Sequence, residues 1–182
     1  MMMQTDKNIS QDQFGTLADK QRTADLKTSE MIALWTIRTW VWASTGRSPS
    51  AQSFDAGLDE AGCPDVSNAF ATFLEIVGTT ASEKVAVHAP TCPTISDDEK
   101  RLLHALAALQ CGHTLEAFDV LTHLLPGAAV RIALSHAESA AMGLARAGLL
   151  LPDRTWKLEE LSLAHQLRAP RAGLTCVRYM IH

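Results

Sequence analysis

The chain has 182 residues, 47% of them apolar and 20% charged, with a formal net charge of −4; that length suits one hydrophobic core, and the composition excludes a chain that is disordered throughout. The charge is uneven: residues 51–145 carry 12 acids and 4 bases, residues 146–182 carry 3 acids and 6 bases, so the middle of the chain repels phosphate and nucleic acid is not an expected partner. No run reaches the roughly 18 uncharged apolar residues of a membrane-spanning helix, so a membrane partner is not expected either.

The opening MMMQTDKNISQDQFGTLADK has acids and amides where an export signal needs an apolar run, which makes the cytoplasm the expected location. Four cysteines, Cys63, Cys92, Cys111 and Cys176, are then expected as free thiols. Ala and Leu are abundant while Tyr occurs once, a balance that favours helix over strand.

Residues 1–27 lack periodicity and are expected to form a mobile leader. From Thr28 the spacing of Met31, Leu34, Trp35, Arg38, Val41 and Trp42 predicts a first helix, with Thr28 or Ser29 as its cap and Gly46 as its stop. Three of the four tryptophans lie on it. Trp40 and Trp42 point about 200° apart, so they cannot serve the same face. Ser48-Pro49 predicts the start of a second helix ending at Gly62. Cys63-Pro64-Asp65 launches a third, with Phe70, Phe73, Leu74 and Val77 on one stripe up to Gly78.

Val85 and Val87 alternate with Ala86 and His88, and Pro90 and Pro93 then forbid a helix, so 84–89 is expected to be a strand. Ser96-Asp97-Asp98-Glu99 is a capping box that opens a fourth helix running to Gly112. Thr114 is the expected cap of a fifth, whose stripe is Leu115, Phe118, Leu121, Thr122 and Leu125. So short a connection predicts an antiparallel hairpin over about 96–125. A sixth helix over about 128–148 is rich in Ala133, Ala137, Ala140, Ala141 and Ala145, which allow neighbours to approach closely. Residues 174–181 have strand character, and because a lone strand leaves its backbone groups without partners, they are expected to pair with 84–89.

The fold expected is therefore all-α or nearly so: a compact bundle of about six helices over 28–152, with a basic C-terminal tail, 153–182, partly docked on it.

Chemistry is concentrated in EKVAVHAPTCPTISDDEKRLLHALAALQCGH, residues 83–113. His88 and Cys92 lie four apart, Cys111 and His113 two apart, and their donors are ones that zinc accepts. The intervening helix is about 24 Å long at 1.5 Å per residue, which keeps the two pairs apart and favours structural roles for them. Pairing of the two strands would bring Cys176 toward His88 and Cys92 as a second possible ligand set. His136-Ala137-Glu138 matches half of a zinc deaminase signature, but the Pro-Cys-x-x-Cys half is missing, so the match is treated as chance. No metalloprotease, nucleophile-elbow, Walker or dinucleotide motif occurs in the sequence.

Trp and Arg are enriched at binding hot spots, so Trp35, Arg38, Trp40 and Trp42 are the candidate partner-binding residues. The expected function is a regulatory or adaptor protein without a catalytic site or cofactor, binding another protein or its own copy. The alternative is a zinc-binding or redox-sensing protein using His88, Cys92, Cys111, His113 and Cys176. A DNA-binding regulator ranks third, because the fifth helix has no Lys or Arg to meet phosphate.

Overall fold

A computed structural model describes residues 21–46, 52–154 and 178–181. In chain order the elements are α1 (Thr28–Ser44), α2 (Gln52–Glu60), α3 (Ser67–Thr80), β1 (Val85–His88), α4 (Asp97–Gln110), α5 (Thr114–Thr122), α6 (Gly127–Arg146) and β2 (Arg178–Ile181). Short 3₁₀ turns at Thr23–Asp25 and Pro64–Val66 precede α1 and α3. The protein is a compact, mostly helical fold.

The Ala-rich face of α6 places it against α3, α4 and α5, with Ala133, Ala137, Ala140 and Ala141 fully buried. Without side chains beyond Cβ, these positions let neighbouring backbones approach closely. The apolar stripe of α3, Phe70, Phe73, Leu74 and Val77, is likewise buried. Its helix runs two residues past Gly78, to Thr80. α1 lies across α2, α3, α4 and β1. Its Trp35 ring rests on Gly57 of α2, so closely that a Cβ there would lie 2.1 Å from Cη2.

α4 and α5 form the hairpin that the short connection implies. Gly112, at φ +78, reverses the chain, and the His113 N–H returns to the Ala108 carbonyl at 2.9 Å. This is the glycine-terminated helix ending that needs a left-handed residue.

The stripe expected on α5 is met in part: Leu121 and Leu125 are buried and Phe118 packs against the core, whereas Leu115 and Thr122 are exposed. Leu115 is 82% exposed, and the buried positions are Ala117, Val120 and Leu121, continued by Leu124 and Leu125 beyond the helix end. Thr114 is not the cap either: the N-cap is His113, with no side-chain cap bond. On α1 the expected caps are also replaced. Ser29 Oγ donates to the Leu150 carbonyl at 2.7 Å, and it is Glu30 that accepts the Lys27 N–H, at 2.8 Å.

β1 and β2 are antiparallel, with Val85 opposite Ile181 and Val87 opposite Tyr179. The end of the expected leader, from Gln21 on, is tied down: Thr23 N–H donates to the Pro93 carbonyl at 2.9 Å, and Ile95 N–H to that of Gln21 at 3.2 Å. Residues 1–20 of the leader, the Ser48-Pro49 helix start and residues 155–177 of the tail lie outside the described residues.

Candidate functional site

Residues 86–99 of the stretch 83–113 converge on a buried polar cluster at the first turn of α4. The Ser96 capping box forms as its spacing requires: Glu99 N–H donates to Ser96 Oγ at 3.0 Å, and Ser96 N–H to Glu99 Oε2 at 2.7 Å. The two acids after Asp97 then reach beyond their own helix. Asp98 Oδ2 accepts the Ala86 N–H at 2.7 Å, Glu99 Oε1 accepts the His88 N–H at 2.9 Å, and Ser96 Oγ donates to the Ala86 carbonyl. The helix start therefore takes the place of a neighbouring strand along one edge of β1.

Glu99, fully buried, also faces Arg38, which is 2% exposed. Arg38 Nε donates to Oε1 at 2.7 Å and Nη2 to Oε2 at 3.0 Å. The remaining guanidinium donors turn to the Cys92 carbonyl at 2.8 Å and the Thr94 carbonyl at 2.7 Å. Those carbonyls point inward because the chain turns sharply after β1, with Cys92 N–H bonded to the Ala89 carbonyl at 2.9 Å. Glu99 thus accepts four hydrogen bonds, which fills the acceptor capacity of a carboxylate. A buried pair this well satisfied holds its geometry, whereas removing one partner strands the other.

His88 borders the cluster at 17% exposure. Its Nδ1–H donates to the Thr94 carbonyl at 2.8 Å, and Nδ1 lies 3.6 Å from Glu99 Oε2. Cys92 is buried, its Sγ 3.4 Å from Thr94 Oγ1. The structure therefore brings His88 and Cys92 to the same loop. Cys111 and His113 are exposed at the other end of α4, a helix of 14 residues and so about 21 Å long. Cys176 lies outside the described residues. Among the described residues no group of three His, Cys, Asp or Glu side chains converges on a point that could hold a metal ion.

The candidate binding residues divide. Arg38 is committed to the interior, so it is not presented to a partner. Trp35, Trp40 and Trp42 are half-buried, and Trp40 and Trp42 pack against the core.

Two further ionic contacts were not apparent in the sequence. Arg154 grips the buried Glu30 with Nε and Nη2, the latter at 2.8 Å from Oε2, and Nη2 also donates to the Asp25 carbonyl at 3.0 Å. Hydrogen bonding to Glu30 raises the guanidinium above its ordinary value. His104, on α4, has Nε2 2.8 Å from Glu116 Oε1 and Nδ1 3.3 Å from the Arg154 carbonyl. The one signal for the main cluster was Arg38 itself: an arginine on the apolar stripe of a helix requires a buried acid.

Among the described residues, no helix is long and apolar enough to cross a membrane. No family model, curated protein or solved structure matches the chain.

Proposed function

We propose that the protein is a non-catalytic regulatory or adaptor module that acts by binding another protein, with a second copy of itself as the first partner to test. The observation that carries this reading is the condition of α1, whose Trp35, Trp40 and Trp42 are all only partly covered. Trp35 and Trp42, seven residues apart, share one side of the helix, and Met31, at 43% exposure, continues that side by one turn toward the N-terminus. Tryptophan supplies much of the energy at protein interfaces. The acids of the α4 first turn support the reading from the other direction, since their bonds to β1 and Arg38 give them a structural task. A cytoplasmic setting belongs to the same proposal.

Sedimentation equilibrium of the full chain over a micromolar range tests it, with Trp35→Ala and Trp42→Ala beside the wild type and circular dichroism confirming that each is folded. A mass above that of one chain, lowered in either folded variant, is the expected result. A single-chain mass at every concentration removes self-association, and an elevated mass that neither variant alters removes the tryptophans as the contact.

A further inference from the structure

The segment following α6, residues 149–154, has no regular secondary structure, yet side chains fasten it along its length. Gln110 of α4 donates from Nε2 to the Leu149 carbonyl at 3.1 Å and accepts the Leu151 N–H at 2.7 Å. Ser29 of α1 holds the Leu150 carbonyl, and Glu30 holds the Arg154 guanidinium. The last fastening is His104, 4% exposed, whose two ring nitrogens each face an oxygen: Nε2 the Glu116 carboxylate and Nδ1 the Arg154 carbonyl.

Both of those oxygens can only accept. A neutral imidazole donates from one nitrogen and presents a lone pair at the other, so it satisfies one contact and sets a lone pair against the other oxygen. The imidazolium donates to both. Histidine is the side chain whose charge changes in the range between about pH 5 and 8.

We propose that His104 is a proton-operated fastener that ties the 149–154 segment to α4 and α5 when doubly protonated and loosens it when it loses a proton. The charged groups around the ring agree with this arrangement. Glu116 of α5 faces it directly, and its other oxygen lies 3.5 Å from His113 Nδ1. Arg154 of the segment is neutralised by Glu30 of α1, and Arg101, three residues earlier on α4, is neutralised by Asp98 at 2.7 Å. The buried residues of α6 include no titratable group. The inference stands independently of the protein-binding proposal.

The test is native-state amide exchange of Leu151, whose N–H is held by Gln110 in the middle of the segment, referenced to Leu144 in the buried face of α6 and corrected for intrinsic rates. Losing one charge-assisted hydrogen bond should lower Leu151 protection about tenfold as pH rises through the histidine range, with Leu144 unchanged. His104→Gln should abolish that pH dependence. Glu116→Gln, a change at a half-exposed position that leaves His104 in place, should reduce it even if the first variant does not fold. Leu151 protection independent of pH in the wild type, or a pH dependence that Glu116→Gln leaves at full size, overturns the proposal.

Discussion

Removing Glu99 or Arg38 separately should cost the protein a large share of its stability, and removing both should cost less than the two losses together. Arg38 and Glu99 share two hydrogen bonds and are 2% and 0% exposed, so neither can recover water when its partner is lost. Breaking a buried pair on one side costs about 3–5 kcal/mol, against about 5–15 kcal/mol for the stability of a typical domain. Glu99→Gln keeps the shape and one acceptor oxygen, but strands the guanidinium charge and sets an amide N–H₂ against donors. Arg38→Met fills the space but leaves the carboxylate with only the Ser96 and His88 N–H groups, and the Cys92 carbonyl without the donor it has from Nη1. Urea unfolding followed by far-ultraviolet circular dichroism measures both variants and the double variant. The double variant should recover about 1–3 kcal/mol relative to additivity, as contacting residues do. Single losses below about 1 kcal/mol, the range of exposed pairs, would refute the reasoning.

Other consequences can be checked in the same way. Gly57→Ala gains helix propensity of about 1 kcal/mol, yet the added methyl meets Trp35 Cη2 at 2.1 Å, so a net loss of about 1–3 kcal/mol is expected in urea unfolding, and a gain would contradict the α1–α2 packing. Leu115→Ser, at 82% exposure, should change stability by less than about 0.5 kcal/mol, whereas Leu121→Ala, fully buried, should cost about 2–5 kcal/mol; comparable losses would restore the stripe expected from the sequence. Burial, with the charge of Asp59 second, pushes the Cys63 thiol above its ordinary value of 9.0. Above that pH the unfolded chain therefore loses this proton before the folded one, and the folding stability that Cys63 contributes falls as pH rises. Cys63→Ala should flatten the alkaline fall in the unfolding midpoint, and an unchanged slope would contradict the assignment.

What the sequence made legible was mostly local. The Ser96–Glu99 box could be read because both of its hydrogen bonds close within four residues, and Gly112 because its role is set by its own backbone. The apolar stripe of α3 could be read because four large residues repeat at helical spacing. On α5 the spacing assigns Leu115 to the covered side and omits Val120, because the two are equally apolar; the neighbours α4 and α6 decide which side is covered, and periodicity in nine residues does not fix it. The main cluster depends on partners far apart in the chain. Glu99 meets Arg38 across 61 residues and Glu30 meets Arg154 across 124, and no local rule couples such positions. In both cases a glutamate in the first turn of a helix takes the N-cap N–H with one oxygen and an arginine with both, so a familiar local motif conceals a tertiary contact.

The central claim is that His88 and Cys92 serve the loop around Arg38 and Glu99, where the Thr94 carbonyl fixes the imidazole and the thiol is buried. The metal content of the full chain, purified without chelator, tests this most directly. The account predicts far less than one zinc per chain and no change on Cys92→Ser. One equivalent of zinc per chain, lost in the folded Cys92→Ser variant, would contradict it.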